Sequence, residues 1–392
     1  MTESLLSSRI SSSVSSVSKT EREELLAVAE DIPDLIKLGR GDPDRDTPEH
    51  ITQAGIEALK DGYTHYTHWA GMKELREEIA KKLERDNDLH YDPDGEIVVS
   101  TGVQESMYVL FQALLEDGDE VLMADPHYTS YDAVVEFAGG ELTLIPTYEE
   151  DDFALQPDAI RENISPDTKV LVVVTPNNPT GAVIPPESLE EIADIAKEED
   201  LLVVSDEIYE KIIYEDFEHV SMASFPNMKE RTIVLNGFSK AYSMTGWSIG
   251  YMAAPADFIE KTERLKHTLT ISTNHAAQAA ALAALRGGDE CIEETVEIYR
   301  ERRDYLMDAL DEMGLTYGYP AGAMYIFANI EPTGRNAFEF CKDLLTDAKV
   351  QIFPGTTYGN GEGYVRISLL APTDQLKTAA DRMSEVVKGY VG

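Results

Sequence analysis

The chain is 392 residues long and carries 73 Asp and Glu against 33 Lys and Arg, a formal net charge of −40. A surface that acidic repels phosphate backbones and anionic headgroups, which argues against nucleic acid and membranes as partners. Hydrophobic residues make up 43%, enough for a sizeable core, and two cysteines are too few for a disulfide scaffold or a cysteine-built metal cluster.

Nine Ser within residues 1–18 read as a mobile, low-complexity arm over residues 1–20. From Thr47 a regular alternation begins. Helical patterns over 48–60 and 71–87 lead to the strand Ile97-Val98-Val99-Ser100, and a helix over 103–115 precedes the strand Glu120-Val121-Leu122-Met123. A helix near 129–138 and a strand at 141–145 follow. The run Val170–Val174 reads as a strand buried on both faces. Helix 187–199 and strands 201–205 and 232–235 continue the series. Strands alternating with helices predict an α/β domain with a mainly parallel sheet over 47–288. Beyond residue 289 a long helix over 289–313 is followed by strand-like 323–330, helix 336–347, strands near 350–353 and 363–369, and helix 374–388. This half predicts a smaller α+β domain made of 21–46 and 289–392. No apolar run approaches the ~20 residues that span a bilayer, and no secretory signal opens the chain, so a cytoplasmic protein is expected.

Four clusters stand where predicted strands end, the edge at which open α/β sheets bind ligands. Ser100-Thr101-Gly102-Val103-Gln104 turns a strand into a helix, whose free N–H groups suit a phosphate. Most such turns bind nothing. Thr175-Pro176-Asn177-Asn178-Pro179-Thr180-Gly181 forms a rigid turn in which Asn178 offers an amide, though a plain surface turn reads the same way. Ser205-Asp206-Glu207-Ile208-Tyr209 places a carboxylate where it accepts from a protonated ring nitrogen, or merely caps a helix. In Asn236–Trp247, Lys240 lies among Gly and aromatics, a setting that can desolvate an amine for Schiff-base chemistry, although a single Lys more often reads as a solvated surface residue.

In order and spacing, N-N-P-T-G, S-D-E-I-Y and S-K-A-Y-S-M-T-G-W resemble the fold-type I pyridoxal-phosphate enzymes, and within them the class I/II aminotransferases close to the aspartate branch. Gly39-Arg40-Gly41-Asp42-Pro43, Asp125-Pro126-His127-Tyr128 and Gly363–Ser368 extend the resemblance over nearly the whole chain. It implies a large cofactor domain with a mainly parallel, helix-covered sheet and a smaller α+β domain. It further implies that Lys240 is the Schiff-base and proton-shuttling residue, and that Asp206 keeps the pyridine nitrogen protonated. Asn178 and Tyr209 would bond the ring's phenolic oxygen, and Tyr128 would stack on the ring. Gly102, Val103 and Gln104, with Ser239, would hold the phosphate, Tyr66 reaching it from the partner subunit of a homodimer with shared active sites. Arg366 would bind the substrate α-carboxylate as a fork, beside the backbone of Gly41. No metal is implied.

One departure stands out. Eight residues after Lys240 the family usually carries an Arg for the cofactor phosphate, and here that position is Ser248. The lost charge-assisted bond is worth about 1.5–3 kcal/mol. Arg40 is open to three roles: a substitute cation for the phosphate, a reader of a substrate side-chain carboxylate, or neither.

The expected activity is amino-group transfer from an L-amino acid, aspartate first and aromatic donors next, to a 2-oxo acid such as 2-oxoglutarate, in two half-reactions. The alternatives are another pyridoxal-phosphate reaction on this scaffold (β-elimination, oxidation or cyclisation) and a relative without cofactor, which the cofactor's absorbance would distinguish. Acid excess spread along the chain also resembles proteins of salt-loving organisms.

Overall fold

The computed structural model describes residues 9–10, 21–215 and 217–391. The arm expected over 1–20 lies, apart from Arg9 and Ile10, outside the described residues. In chain order the strands begin with β1 (Ile36–Lys37), β2 (Ile97–Ser100), β3 (Glu120–Asp125), β4 (Glu141–Pro146), β5 (Thr168–Val174), β6 (Leu202–Asp206) and β7 (Thr232–Gly237). They continue with β8 (Gly250–Ala253), β9 (Thr316–Tyr317), β10 (Tyr325–Asn329), β11 (Val350–Gln351), β12 (Phe353–Gly355) and β13 (Gly361–Ser368).

Seven strands form the large sheet in the order β2-β8-β7-β6-β5-β3-β4. All neighbours pair in parallel except at β8, which runs antiparallel to both β2 and β7. Val170, Leu171, Val172 and Val173 of β5 are at most 1% exposed, as a continuous apolar run covered on both faces requires. Each such side chain contributes about 1.5–3 kcal/mol on burial. One covering layer includes helices Gly102–Leu114 and Ser130–Phe137, and the other includes helix Pro186–Glu198.

A second sheet, β12-β13-β10-β9, is antiparallel throughout. Its core is shared by helices Glu290–Glu312 and Thr373–Val391 and, from the other end of the sequence, by Leu25, Ile36 and Leu38. β1 pairs in parallel with β11, Ile36 opposite Val350. The strand expected near 350–353 is thus two strands, one serving β1 and the other β13. The helix expected to 347 ends at Asp343 and widens into a π-type turn over Leu344–Ala348. Three elements between 250 and 288 go beyond the sequence pattern: β8 and helices Ala256–Thr270 and His275–Arg286.

Candidate active site

Strands β5, β6 and β7 lie side by side and in parallel, so their carboxyl ends open together on one edge. Asp206 ends β6, the Thr175–Gly181 turn leaves β5, and Ser239 and Lys240 follow β7. The Thr175 N–H donates to the Asp206 carbonyl at 3.4 Å, which ties two of these exits together.

Asp206 is 5% exposed. The Tyr131 hydroxyl donates to its Oδ2 at 2.8 Å, and the Ile208 N–H to its Oδ1 at 3.3 Å. Burial raises its pKa to about 6 by stripping water from the charged form, while those two donors pull the other way. A carboxyl so held gains by ionising against a cation. Tyr209 is buried too, with its hydroxyl 3.1 Å from that of Tyr325. Burial, with Tyr325 beside it, pushes the Tyr209 phenol well above its ordinary value, so it stays neutral and able to donate.

A three-residue strip joins the other functional groups. The Lys240 Nζ donates to the Gly41 carbonyl at 2.6 Å. Two residues earlier, the Gly39 carbonyl accepts from Arg366 NH2 at 2.7 Å. Arg366 NH1 donates to Asn178 Oδ1 at 2.8 Å, and because a guanidinium only donates, the Asn178 amide group is turned away from it. Tyr325 and Tyr358 flank the guanidinium, their ring centroids 4.2 and 4.4 Å from its carbon. Arg366 is 5% exposed, yet all of its partners are neutral and its Nε has none among the described residues. A buried cation without a counter-ion is costly, so the pocket suits an anion. The strip admits no side chain at Gly41, where a Cβ would lie 2.6 Å from the Tyr325 hydroxyl.

The opposite end is built by β2, β8 and β7. Ser100 pairs with Gly250, and Gly250 with Gly237. A Cβ on Gly250 would press to 3.0 Å on the Val103 nitrogen, so its absence keeps the start of helix Gly102–Leu114 open. Thr101 gives that helix no side-chain cap, leaving its first N–H groups for an anion. The Gln104 side chain donates to the hydroxyls of Tyr128 and Ser130 at 2.9 and 2.8 Å, which fixes Tyr128 beside the helix start. Ser248 is exposed, two residues before Gly250 and in a left-handed conformation with φ 50°.

Most expected residues therefore converge: Lys240, Asp206, Tyr209, Asn178, Arg366 and Gly41 around one strip, and Gly102, Val103, Gln104 and Tyr128 at one helix start. Half-buried Ser239 adjoins Lys240 in the same turn. Arg40 lies within the strip, exposed and without an ion pair among the described residues. Tyr66 is not drawn in by any contact; it stands 76% exposed. Sequence reasoning missed Tyr131, Tyr325 and Tyr358, and gave Gly39, quoted within its motif, no role. Tyr325 and Tyr358 lie on or beside strands that also carry core residues, and Tyr131 opens an ordinary helix, so none bears a local signal.

Residues 33–383 match the family model for aminotransferase class I and II. The chain is 44% identical over 377 residues to an aspartate aminotransferase of Pyrococcus abyssi, spanning 95% of this chain and 96% of that protein. It is 42% identical to aromatic-amino-acid aminotransferase 2 of Thermococcus litoralis, over 95% and 96% of the two chains. The structure of aspartate aminotransferase from Thermus thermophilus with maleate superposes with a TM-score of 0.90 at 38% identity, covering 96% of this chain and 99% of that one.

Proposed function

The chain belongs to the class I and II aminotransferase family, and from that premise we propose that it moves an amino group from L-aspartate to a 2-oxo acid such as 2-oxoglutarate in two alternating half-reactions. Amino-acid transamination with pyridoxal phosphate is its chemistry; the choice of aspartate is the further step. The buried Arg366 carries the reading. Its uncompensated charge calls for a carboxylate, and the strip Gly39–Gly41 binds both this guanidinium and the amine of Lys240.

The site fits the cofactor. An uncapped helix start suits its phosphate, and a buried carboxyl with a pKa near 6 suits its ring nitrogen. When bound, pyridoxal phosphate supplies an electron sink for the bond broken at the substrate α-carbon. Asp206 holds a proton at the ring nitrogen. Asn178 and Tyr209 would hold the ring's phenolic oxygen as donors, and Tyr128 would hold the ring at the helix start. Arg366 anchors the substrate carboxylate, which orients the α-hydrogen toward Lys240, and the Lys240 Nζ carries that proton away.

The proposal extends to assembly and setting. Tyr66 of the partner subunit completes the phosphate end of a homodimer, a role supported by its exposure together with that of Ile56, Leu59 and Tyr63. Among the described residues no helix is long and apolar enough to cross a membrane. We place the protein in the cytoplasm, treat its acidity as a salt adaptation, and divide it into 47–288 and a smaller unit of 21–46 with 289–392.

The test supplies amino donors singly with 2-oxoglutarate and measures glutamate and the matching 2-oxo acid. Aspartate should give the highest kcat/KM. If the cofactor-loaded protein forms no glutamate from any donor, the reading fails.

A further inference from the structure

We infer that Arg40 reads the side-chain carboxylate of a dicarboxylic substrate. This rests on the transaminase reading above and deepens it.

The contacts along the N-terminal loop place its residues in order across the site. Gly39 holds Arg366, Gly41 holds Lys240, and the Asp42 carboxylate accepts from the Thr245 hydroxyl at 2.5 Å. Farther on, the Thr47 hydroxyl donates to the Ser243 carbonyl and accepts from the Trp247 indole. The loop thus enters beside the carboxylate pocket, passes the lysine, and leaves along the 243–247 segment that leads to Ser248. Arg40 falls on the Arg366 side of Lys240.

Charge points the same way. Arg40 is exposed and makes no ion pair among the described residues, in a chain with 73 acidic residues against 33 Lys and Arg. Other arginines of this loop and its surroundings are taken: Arg45 pairs with Glu294 at 3.2 Å, and Arg302 grips Asp44 at 2.9 Å. Arg366 serves one carboxylate. A substrate with a second one needs a second cation, and Arg40, whose Cα is about 3.8 Å from those of Gly39 and Gly41, is the next along the strip.

The experiment compares wild type with Arg40→Ala and Arg40→Lys, all cofactor-loaded, using aspartate and phenylalanine as donors and maleate as a non-reacting dicarboxylate. The expected result is that the aspartate-to-phenylalanine ratio of kcat/KM falls tenfold or more in Arg40→Ala, which is about 1.4 kcal/mol. Maleate binding, followed by the cofactor's absorbance, should weaken in parallel, with Arg40→Lys intermediate. An unchanged ratio overturns the inference. So does faster loss of cofactor from Arg40→Ala on dialysis, which would assign Arg40 to the phosphate. Failure of wild type to transfer an amino group from either donor would instead defeat the transaminase reading itself.

Discussion

At the scale of single residues, the site is a set of charges held away from water until a ligand answers them. For Asp206 this has a sign that can be worked out. Its folded-state pKa, about 6, is above the value for an unfolded Asp, so the stabilisation belongs to the protonated form: it is full below the unfolded pKa and is lost as pH rises through about 6. A carboxyl displaced that far from its ordinary value changes stability by at most about 3 kcal/mol. Cofactor-free Asp206→Asn should therefore melt above the cofactor-free wild type at ~pH 8 and lose that advantage at ~pH 4, while its loaded form loses most turnover. A melting difference independent of pH would show that burial does not strain this carboxyl. Arg366 presents the converse problem, a cation held by two carbonyl oxygens. A lysine has no fork to bond Asn178, Gly39 and a carboxylate together, so Arg366→Lys should raise KM for the amino donor by roughly ten- to a hundredfold, or about 1.4–3 kcal/mol. Unaltered steady-state kinetics would remove Arg366 from the pocket.

At the scale of elements, legibility followed periodicity. β2, β3, β5, β6 and β7 are short apolar runs bounded by turn residues, and the lysine, the aspartate and the Asn-rich turn are legible because each follows such a run. β8 is not, because Gly250-Tyr251-Met252-Ala253 is four residues with a Gly at its head, and its pairing is decided by β2 and β7 rather than by its own pattern. Tyr131, which holds Asp206 from 75 positions away, is invisible for the same reason: the contact is made by the packing of a helix on a sheet. The proposed phosphate end also belongs to this scale, since it is a helix start kept open by Gly250. On the proposed reading, with Ser248 two residues before Gly250, the cofactor would be kept by backbone N–H groups and hydroxyls whenever Lys240 is not bonded to it. Dialysis in the presence of an amino donor should strip cofactor faster than dialysis without one, and Ser248→Arg should slow that loss about tenfold, the equivalent of ~1.4 kcal/mol. If the donor makes no difference to wild type, another cation already serves the phosphate.

At the scale of the whole molecule, the net charge of −40 makes the compact state repel itself. In about 1 M salt the Debye length falls to ~3 Å, which screens exposed charges while sparing buried pairs such as Lys82 with Glu210. The melting temperature should climb from dilute buffer to molar KCl, and full stability without salt would mark an acidic protein of ordinary habit. The parallel pairing of Ile36 with Val350 carries a consequence in time. On the ribosome, residues 36–38 emerge long before their backbone partners, since Ile36 pairs with Val350 and Leu38 bonds Gln351 and Ser368. The strip that anchors Lys240 and Arg366 must wait, unpaired, until those later residues have been made, whereas the strands of the large sheet are already available to one another. A nascent chain arrested before Val350 should be cut by protease within residues 21–41 and spared in the large sheet; equal protection of both would mean that the first segment finds shelter before its partners exist.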